Sequence, residues 1–356
     1  MNRNNQSIEF DINNSEVGSI LSIQGHKNTQ IVYNYYYSSI NKASISSKHT
    51  ETSVSENLSS PYRGLSHFSP DDAEYFFGRE DFVTVLFNAT KTRNFITVLG
   101  ASGSGKSSVV LAGLVPRLQK EGNWIFTHFR PGDHDDPFYS LAEALVPLYR
   151  SDYDSTDEIT QTNKLAESLR KKEFAISQVF SKIQRKNSAH RVLLIADQFE
   201  ELYTSCSDES IRHIFLDTLL AGFQSKSNHF RQPPLVLVST LRVDFLSNAL
   251  SYPPFADVLQ NANIMLGAMK REELSQVIKN PAEKQNVTFE SGLVERILND
   301  VEDEPGNLPL LEFALTELWK RRIGQQLTHQ AYQDIGQVKG ALESYANEIY
   351  KRFTEN

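Results

Sequence analysis

The chain has 356 residues, 39% of them hydrophobic, and 36 Lys and Arg stand against 44 Asp and Glu for a net charge of −8. That is apolar material enough for two domains, and it excludes a wholly disordered chain and a global positive field that would draw in nucleic acid, which is not expected as a partner. The single cysteine, Cys206, permits no internal disulfide, no apolar run approaches the roughly 18 residues of a membrane span, and the first thirty residues lack the basic start and apolar stretch of a secretory signal. The expected compartment is the cytoplasm, with no membrane partner.

Residues 1–60 differ from the rest. They are rich in Asn and Ser, and the segment 41–60 is nearly free of large apolar side chains, so it reads as a flexible linker. Ahead of it, Ile20-Leu21-Ser22-Ile23 and Ile31-Val32-Tyr33 lie in stretches of high β-propensity with little charge and no proline. Such stretches stack edge to edge, add a single edge strand, or stay in solvent as a tail.

From Pro61 the pattern becomes globular. Short apolar runs at 95–99, 124–129, 192–196 and 235–239 alternate with helical stretches at 106–120, 139–149 and 210–223. Continuous β-branched runs separated by helices predict a parallel sheet buried on both faces, hence an α/β nucleotide-binding domain over 61–265. After about residue 266 helix signals take over and predict a small all-helical domain over 266–356. Ser291 is placed to cap a helix through Leu293 and Ile297, Pro309 to open another, and Thr328 to cap a third ending near Gly336. No internal repeat of propeller or solenoid length is present.

The chemistry concentrates where the first strand ends. Gly100-Ala101-Ser102-Gly103-Ser104-Gly105-Lys106-Ser107 fits G-x-x-x-x-G-K-[ST] directly after Phe95-Ile96-Thr97-Val98-Leu99. Glycines let the backbone curl until successive N–H groups converge on phosphate oxygens, and the following helix adds the positive end of its dipole. Gly100, Ser102, Gly103, Ser104, Gly105, Lys106, Ser107 and Ser108 are therefore the candidate phosphate-binding residues, with Lys106 reaching the β- and γ-phosphates and Ser107 offering its hydroxyl to Mg²⁺. ATP is expected rather than GTP, because no N-K-x-D type element for reading guanine follows a later strand.

A phosphate loop alone does not hydrolyse. In Val192-Leu193-Leu194-Ile195-Ala196-Asp197-Gln198-Phe199-Glu200-Glu201, Asp197 at the carboxyl end of a buried strand is the candidate Mg²⁺ ligand, directly or through water. Glu200 or Glu201 then polarises the attacking water, and residue order does not choose between them. The fourth strand ends in Thr240-Leu241-Arg242-Val243-Asp244, so Arg242 reaches the same sheet edge, either as a γ-phosphate sensor or in a structural ion pair with Asp244. Gly132-Asp133-His134-Asp135-Asp136 reads as a solvated turn rather than a metal cluster.

With these elements placed, the chain resembles the STAND class of P-loop NTPases, which includes the NACHT and NB-ARC families, and is most similar to the bacterial novel STAND NTPase domain commonly followed by WD-repeat propellers. The residues that carry the likeness are Pro61-Tyr62-Arg63-Gly64-Leu65, Phe76-Phe77-Gly78-Arg79-Glu80, Arg130-Pro131-Gly132, Asp197-Gln198-Phe199-Glu200-Glu201-Leu202, Thr240-Leu241-Arg242-Val243-Asp244-Phe245 and Gly306-Asn307-Leu308-Pro309-Leu310-Leu311. The resemblance implies that Gly78 and Arg79 border the adenine, that Pro309 closes on the nucleotide from the helical domain, and that the molecule is a slow ATPase switch. Such a switch is closed with ADP at rest and opens so that ATP binds and copies assemble, and the resemblance implies a setting in bacterial stress or anti-phage signalling. It further implies a C-terminal sensor module, expected in a longer form of the chain or on a separate polypeptide, and the motif around residues 23–33 is similar to amyloid-type signalling motifs. Two other functions stay open on sequence: a DNA-associated motor or loader ATPase, and a nucleotide-stabilised scaffold.

Overall fold

The structure is a computed structural model that describes residues 58–149, 155–188, 190–223, 233–301 and 307–354. The β-prone stretches and nearly all of the linker expected before residue 60 lie outside the described residues, as does Gly306.

Four of the five strands of the main sheet are those expected: β1 (Phe95–Gly100), β2 (Trp124–Phe129), β3 (Arg191–Ala196) and β4 (Leu235–Arg242), joined by β5 (Asn263–Leu266). They pair in the order β2-β3-β4-β1-β5, every pair parallel. Each successive strand is reached through a helical crossover, so both faces are covered and the runs are apolar on both sides.

The two-residue period decides which side chain goes to which face. Ile96, Val98, Phe126, Ile195 and Val238 pack on the helix Glu80–Thr92 and on the helical stretch 106–121. Phe95, Leu99, Leu194 and Leu237 point the other way, onto the helices Pro137–Tyr149, Ile176–Lys186, Glu209–Phe223 and Pro253–Ala262. In register, Gly100 of β1 stands beside Arg242 of β4 and Leu266 of β5, and Ala196 beside Ser239. The carboxyl ends of β1, β3 and β4 thus share one edge, where ligands of open α/β sheets bind.

A third core forms after β5. Its helices Arg271–Lys284, Leu293–Asp300, Leu308–Lys320, His329–Asp334 and Gln337–Thr354 pack through Ile278, Ile297, Leu311, Leu315 and Trp319. Tyr62, far earlier in the chain, belongs to the same core: its hydroxyl donates to Ile278 O at 2.6 Å, and its ring meets Trp319 edge-on at 6.1 Å. Residues near 62 therefore pack on the helical part, while Phe68 N donates to Ser108 Oγ at 3.1 Å on the helix that follows β1. The segment between them is a strap joining the two cores.

Two local expectations are corrected. Gly292, at φ 81°, is the residue that precedes the helix Leu293–Asp300, and Ser291 makes no cap; only glycine enters that left-handed position at little cost. The helical region also contains a short parallel pair, β6 (Thr288–Phe289) with β7 (Gln326–Leu327), too brief for any periodic signal. Thr328 does cap its helix, its hydroxyl accepting from Ala331 N at 3.2 Å, and Pro309 does lie in the first turn of Leu308–Lys320.

Candidate functional site

After Gly100 the chain turns back on itself. Gly103 and Gly105 take φ values of 70° and 87°, which a side chain would strain. Gly100 is needed for a different reason: a Cβ there would fall 2.7 Å from Ser104 Oγ and 2.9 Å from Leu266 O. Lys106 folds back over the loop and donates to Gly100 O at 3.2 Å and Ala101 O at 2.8 Å. Burial lowers its pKa, and the carboxylates of Glu200 and Asp197 partly offset that, so it is a desolvated cation aimed at the loop.

Asp197 follows β3 directly and is fully buried. Its Oδ1 accepts from Ser107 Oγ and from Thr240 Oγ1, both at 2.7 Å. Its Oδ2 is buried without a hydrogen bond, and Arg130 Nε lies 3.5 Å away. Burial alone would raise this carboxyl; His128, Arg130 and the two hydroxyls outweigh it and hold the pKa below the ordinary aspartate value. Burial in turn pushes the pKa of His128 down, with Asp197 acting against it. Ser107 and Asp197 together present hard oxygens, one of them lacking a partner, and that donor set suits Mg²⁺.

The next residues turn sharply. Gln198 takes φ 49°, and its N–H donates to Thr240 Oγ1 at 2.8 Å. The two glutamates that follow this turn face different surroundings. Glu200 faces the cavity, 8% exposed, its Oε2 accepting from Arg242 N at 3.2 Å. Glu201 points elsewhere, its Oε2 accepting from Gly132 N at 3.3 Å. Burial raises the pKa of Glu200, with the Arg242 backbone bond and Lys106 acting against it.

The cavity these groups line has a volume of roughly 340 Å³, within the usual range for a ligand site. The strap closes one side with His67 and Phe68, and Phe76 and Phe77 form an apolar wall. Arg79 is 6% exposed; its guanidinium donates to Gly267 O at 2.8 Å and Ser104 O at 3.4 Å, bracing the phosphate loop against the chain leaving β5. From the helical part come Met269, Val277, Leu308, Pro309 and Glu312. Leu308 comes so close that its Cδ2 would be 3.5 Å from a Cβ on Gly105.

Of the residues singled out by sequence, Ser102 to Ser108, Arg79, Glu200, Arg242 and Pro309 line this cavity. Asp197 lies just beneath it through Ser107, and Gly100 supports the loop from the strand end. Gly78, at φ 82°, is seated on the helix Arg271–Lys284, where a Cβ would be 2.7 Å from Glu273 O. The Arg242 guanidinium pairs with Asp244, its Nε 3.1 Å from Oδ1. The turn at 132–136 is spent on structural bonds, Asp133 accepting from Arg130 N at 3.1 Å and His134 sitting 3.0 Å from Glu143. Sequence reasoning gave no role at the site to Arg130 and Thr240, although both lie in the stretches that carry the family likeness, and it passed over Glu312. Thr240 had a signal, since it is a hydroxyl one strand from Asp197; Glu312 had none, being one more position in a periodic helix.

A phosphate loop on β1, an acid ending β3 and one strand between them define a P-loop NTPase. The chain belongs to the Novel STAND NTPase 1 family, whose model matches residues 61–356. No curated protein matches the chain. Among solved structures, the ORC1 protein of Aeropyrum pernix in complex with DNA is similar at a TM-score of 0.51 and 13% identity, over 82% of this chain and 71% of that one. A Walker-type ATPase of Pyrococcus abyssi gives 0.49 and 13%, over 81% of this chain and 77% of that one. At such identities the ORC1 likeness shows the fold alone. Among the described residues no helix is long and apolar enough to cross a membrane.

Proposed function

We propose that this NTPase is an ATP-driven switch, in which ATP or ADP bound in the cavity sets the angle between the sheet and the helical part, over the domains 61–265 and 266–356. The observation that carries this reading is that one cavity is lined at once by the phosphate loop and by Leu308 and Pro309. A nucleotide there touches both parts, so any difference in how ATP and ADP fit becomes a difference in their preferred arrangement.

In this reading Lys106 and the loop N–H groups of Gly103 to Ser108 neutralise the phosphates, while Gly78 and Arg79 shape the base end and Pro309 packs on it. Ser107 and Asp197 would hold Mg²⁺, which supplies charge neutralisation across the phosphates. Glu200, rather than Glu201, orients and deprotonates the attacking water, because it alone of the two faces the cavity. Arg242 serves the γ-phosphate by leaving Asp244, an exposed pair that costs little to break.

Assembly of copies in the ATP state, with a role in bacterial signalling or defence and a cytoplasmic setting, follows the same reading. A DNA-associated loader gains nothing from a net charge of −8. Small-angle scattering and sedimentation tests the switch: ADP and a non-hydrolysable ATP analogue should give different shapes or oligomeric states. Identical profiles with both nucleotides bound would refute it.

A further inference from the structure

Glu312 is the acid that the helical part brings to the cavity. It is 7% exposed on the helix Leu308–Lys320, one turn beyond Leu308 and on the same face. Among the described residues the one hydrogen bond to its carboxyl comes from Arg63 N, at 3.3 Å. A buried carboxyl so sparsely bonded is costly as an anion. Burial accordingly pushes its pKa up to about 8, with only the Arg63 N–H acting against it, so at neutral pH it is the uncharged acid.

Its position along the cavity follows from its neighbours. Leu308 marks the phosphate end by its approach to Gly105. One helical turn, about 5.4 Å, separates that point from Glu312. Arg63, which bonds the carboxyl, follows Tyr62, which bonds Ile278 O; Val277, next to Ile278, also lines the cavity and packs by Gly78, where a Cβ would be 3.0 Å from its Cγ2. Glu312 thus lines the cavity shared with Lys106, Phe76 and Phe77, on the side where the strap bonds it; in the reading proposed here the nucleobase lies between it and those two rings.

We propose that Glu312 reads the adenine base, donating its O–H to a ring nitrogen and accepting from the exocyclic amino group. The inference rests on nucleotide binding in this cavity. A carboxylic acid offers one donor and one acceptor side by side, which matches the adjacent acceptor and donor on an adenine edge. An anion in the same place would lose the first bond and face the triphosphate charge. The contact also gives the helical part a polar grip on the base, since among the described residues that part sends no cation to the cavity.

The test is an analogue cycle in titration calorimetry of the full chain at pH 7, with ATP, the purine triphosphate lacking the 6-amino group, and 2′-deoxy-ATP. Deleting the amino group should weaken binding to the wild type about 10-fold, yet weaken binding to Glu312→Ala less than 2-fold. Glu312→Gln, whose amide keeps a donor and an acceptor, should stay within 3-fold of the wild type. Equal losses in the wild type and Glu312→Ala would overturn the proposal, as would sensitivity confined to the 2′-hydroxyl, which would assign Glu312 to the ribose. A wild type that binds none of the three would instead overturn the nucleotide reading itself.

Discussion

Ser107 Oγ donates to Asp197 Oδ1 at 2.7 Å, tying the start of the helix after β1 to the end of β3 although β4 stands between those strands. Thr240 of β4 donates to the same oxygen at the same distance, so three strands converge on one buried carboxylate. Asp197→Asn keeps the volume but removes the charge. It is expected to lower Mg²⁺-dependent phosphate release by about 100-fold or more, measured as single-turnover kinetics, with ATP still bound.

Glu200 and Glu201 are adjacent in sequence but face different surroundings, Glu200 the cavity and Glu201 the Gly132 N–H, and in the proposed function only Glu200 acts on the water. Glu200→Gln should reduce turnover about 10²–10⁴-fold with nucleotide affinity nearly unchanged, whereas Glu201→Gln should keep most of its activity. The reverse ranking in a steady-state phosphate assay would move the base to Glu201. Because burial raises the pKa of Glu200, the acidic limb of the wild-type profile should lie above the ordinary glutamate range.

Glu312 makes stability depend on pH in a stated direction. Its folded pKa of about 8 exceeds the ordinary glutamate value of 4.5, so between those values the folded chain holds a proton that the unfolded chain has released. Its contribution to stability therefore falls as pH rises from 4.5 to 8, by up to about 1.4 kcal/mol per pH unit, and levels off above. Urea unfolding of Glu312→Gln should show that slope removed and a more stable protein at pH 8.

Gly78 tests the contact between the sheet part and the helical part. Alanine there combines a φ of 82° with a Cβ 2.7 Å from Glu273 O. A loss of about 1–3 kcal/mol is expected in denaturant titration, and a neutral effect would mean that the helix Arg271–Lys284 can move away freely.

How much of this was legible in the sequence depended on whether a feature leaves a local pattern. β1 to β4 are short, mostly apolar runs, and the phosphate loop needs its residue types at fixed spacing, so both could be read directly. β5 could not, because its four residues Asn263-Ile264-Met265-Leu266 follow a helix without a break and leave Met265 60% exposed. Ser291 looked like a cap because serine commonly is one, but the left-handed backbone was given to Gly292. The choice between Glu200 and Glu201 was hidden because it depends on the backbone N–H groups of Arg242 and Gly132, which only the fold brings to them, and the role of Arg79 as a brace depends on carbonyls at Ser104 and Gly267 that only the fold brings near.

The central claim is that the cavity over Lys106 holds an adenine nucleotide. Denaturing the purified protein and identifying the released nucleotide by chromatography, beside Lys106→Ala prepared in parallel, tests it most directly. Near-stoichiometric ADP from the wild type and none from the variant is the expected result. A wild type that carries no nucleotide, and whose affinity for added ATP is unchanged by Lys106→Ala, would contradict it.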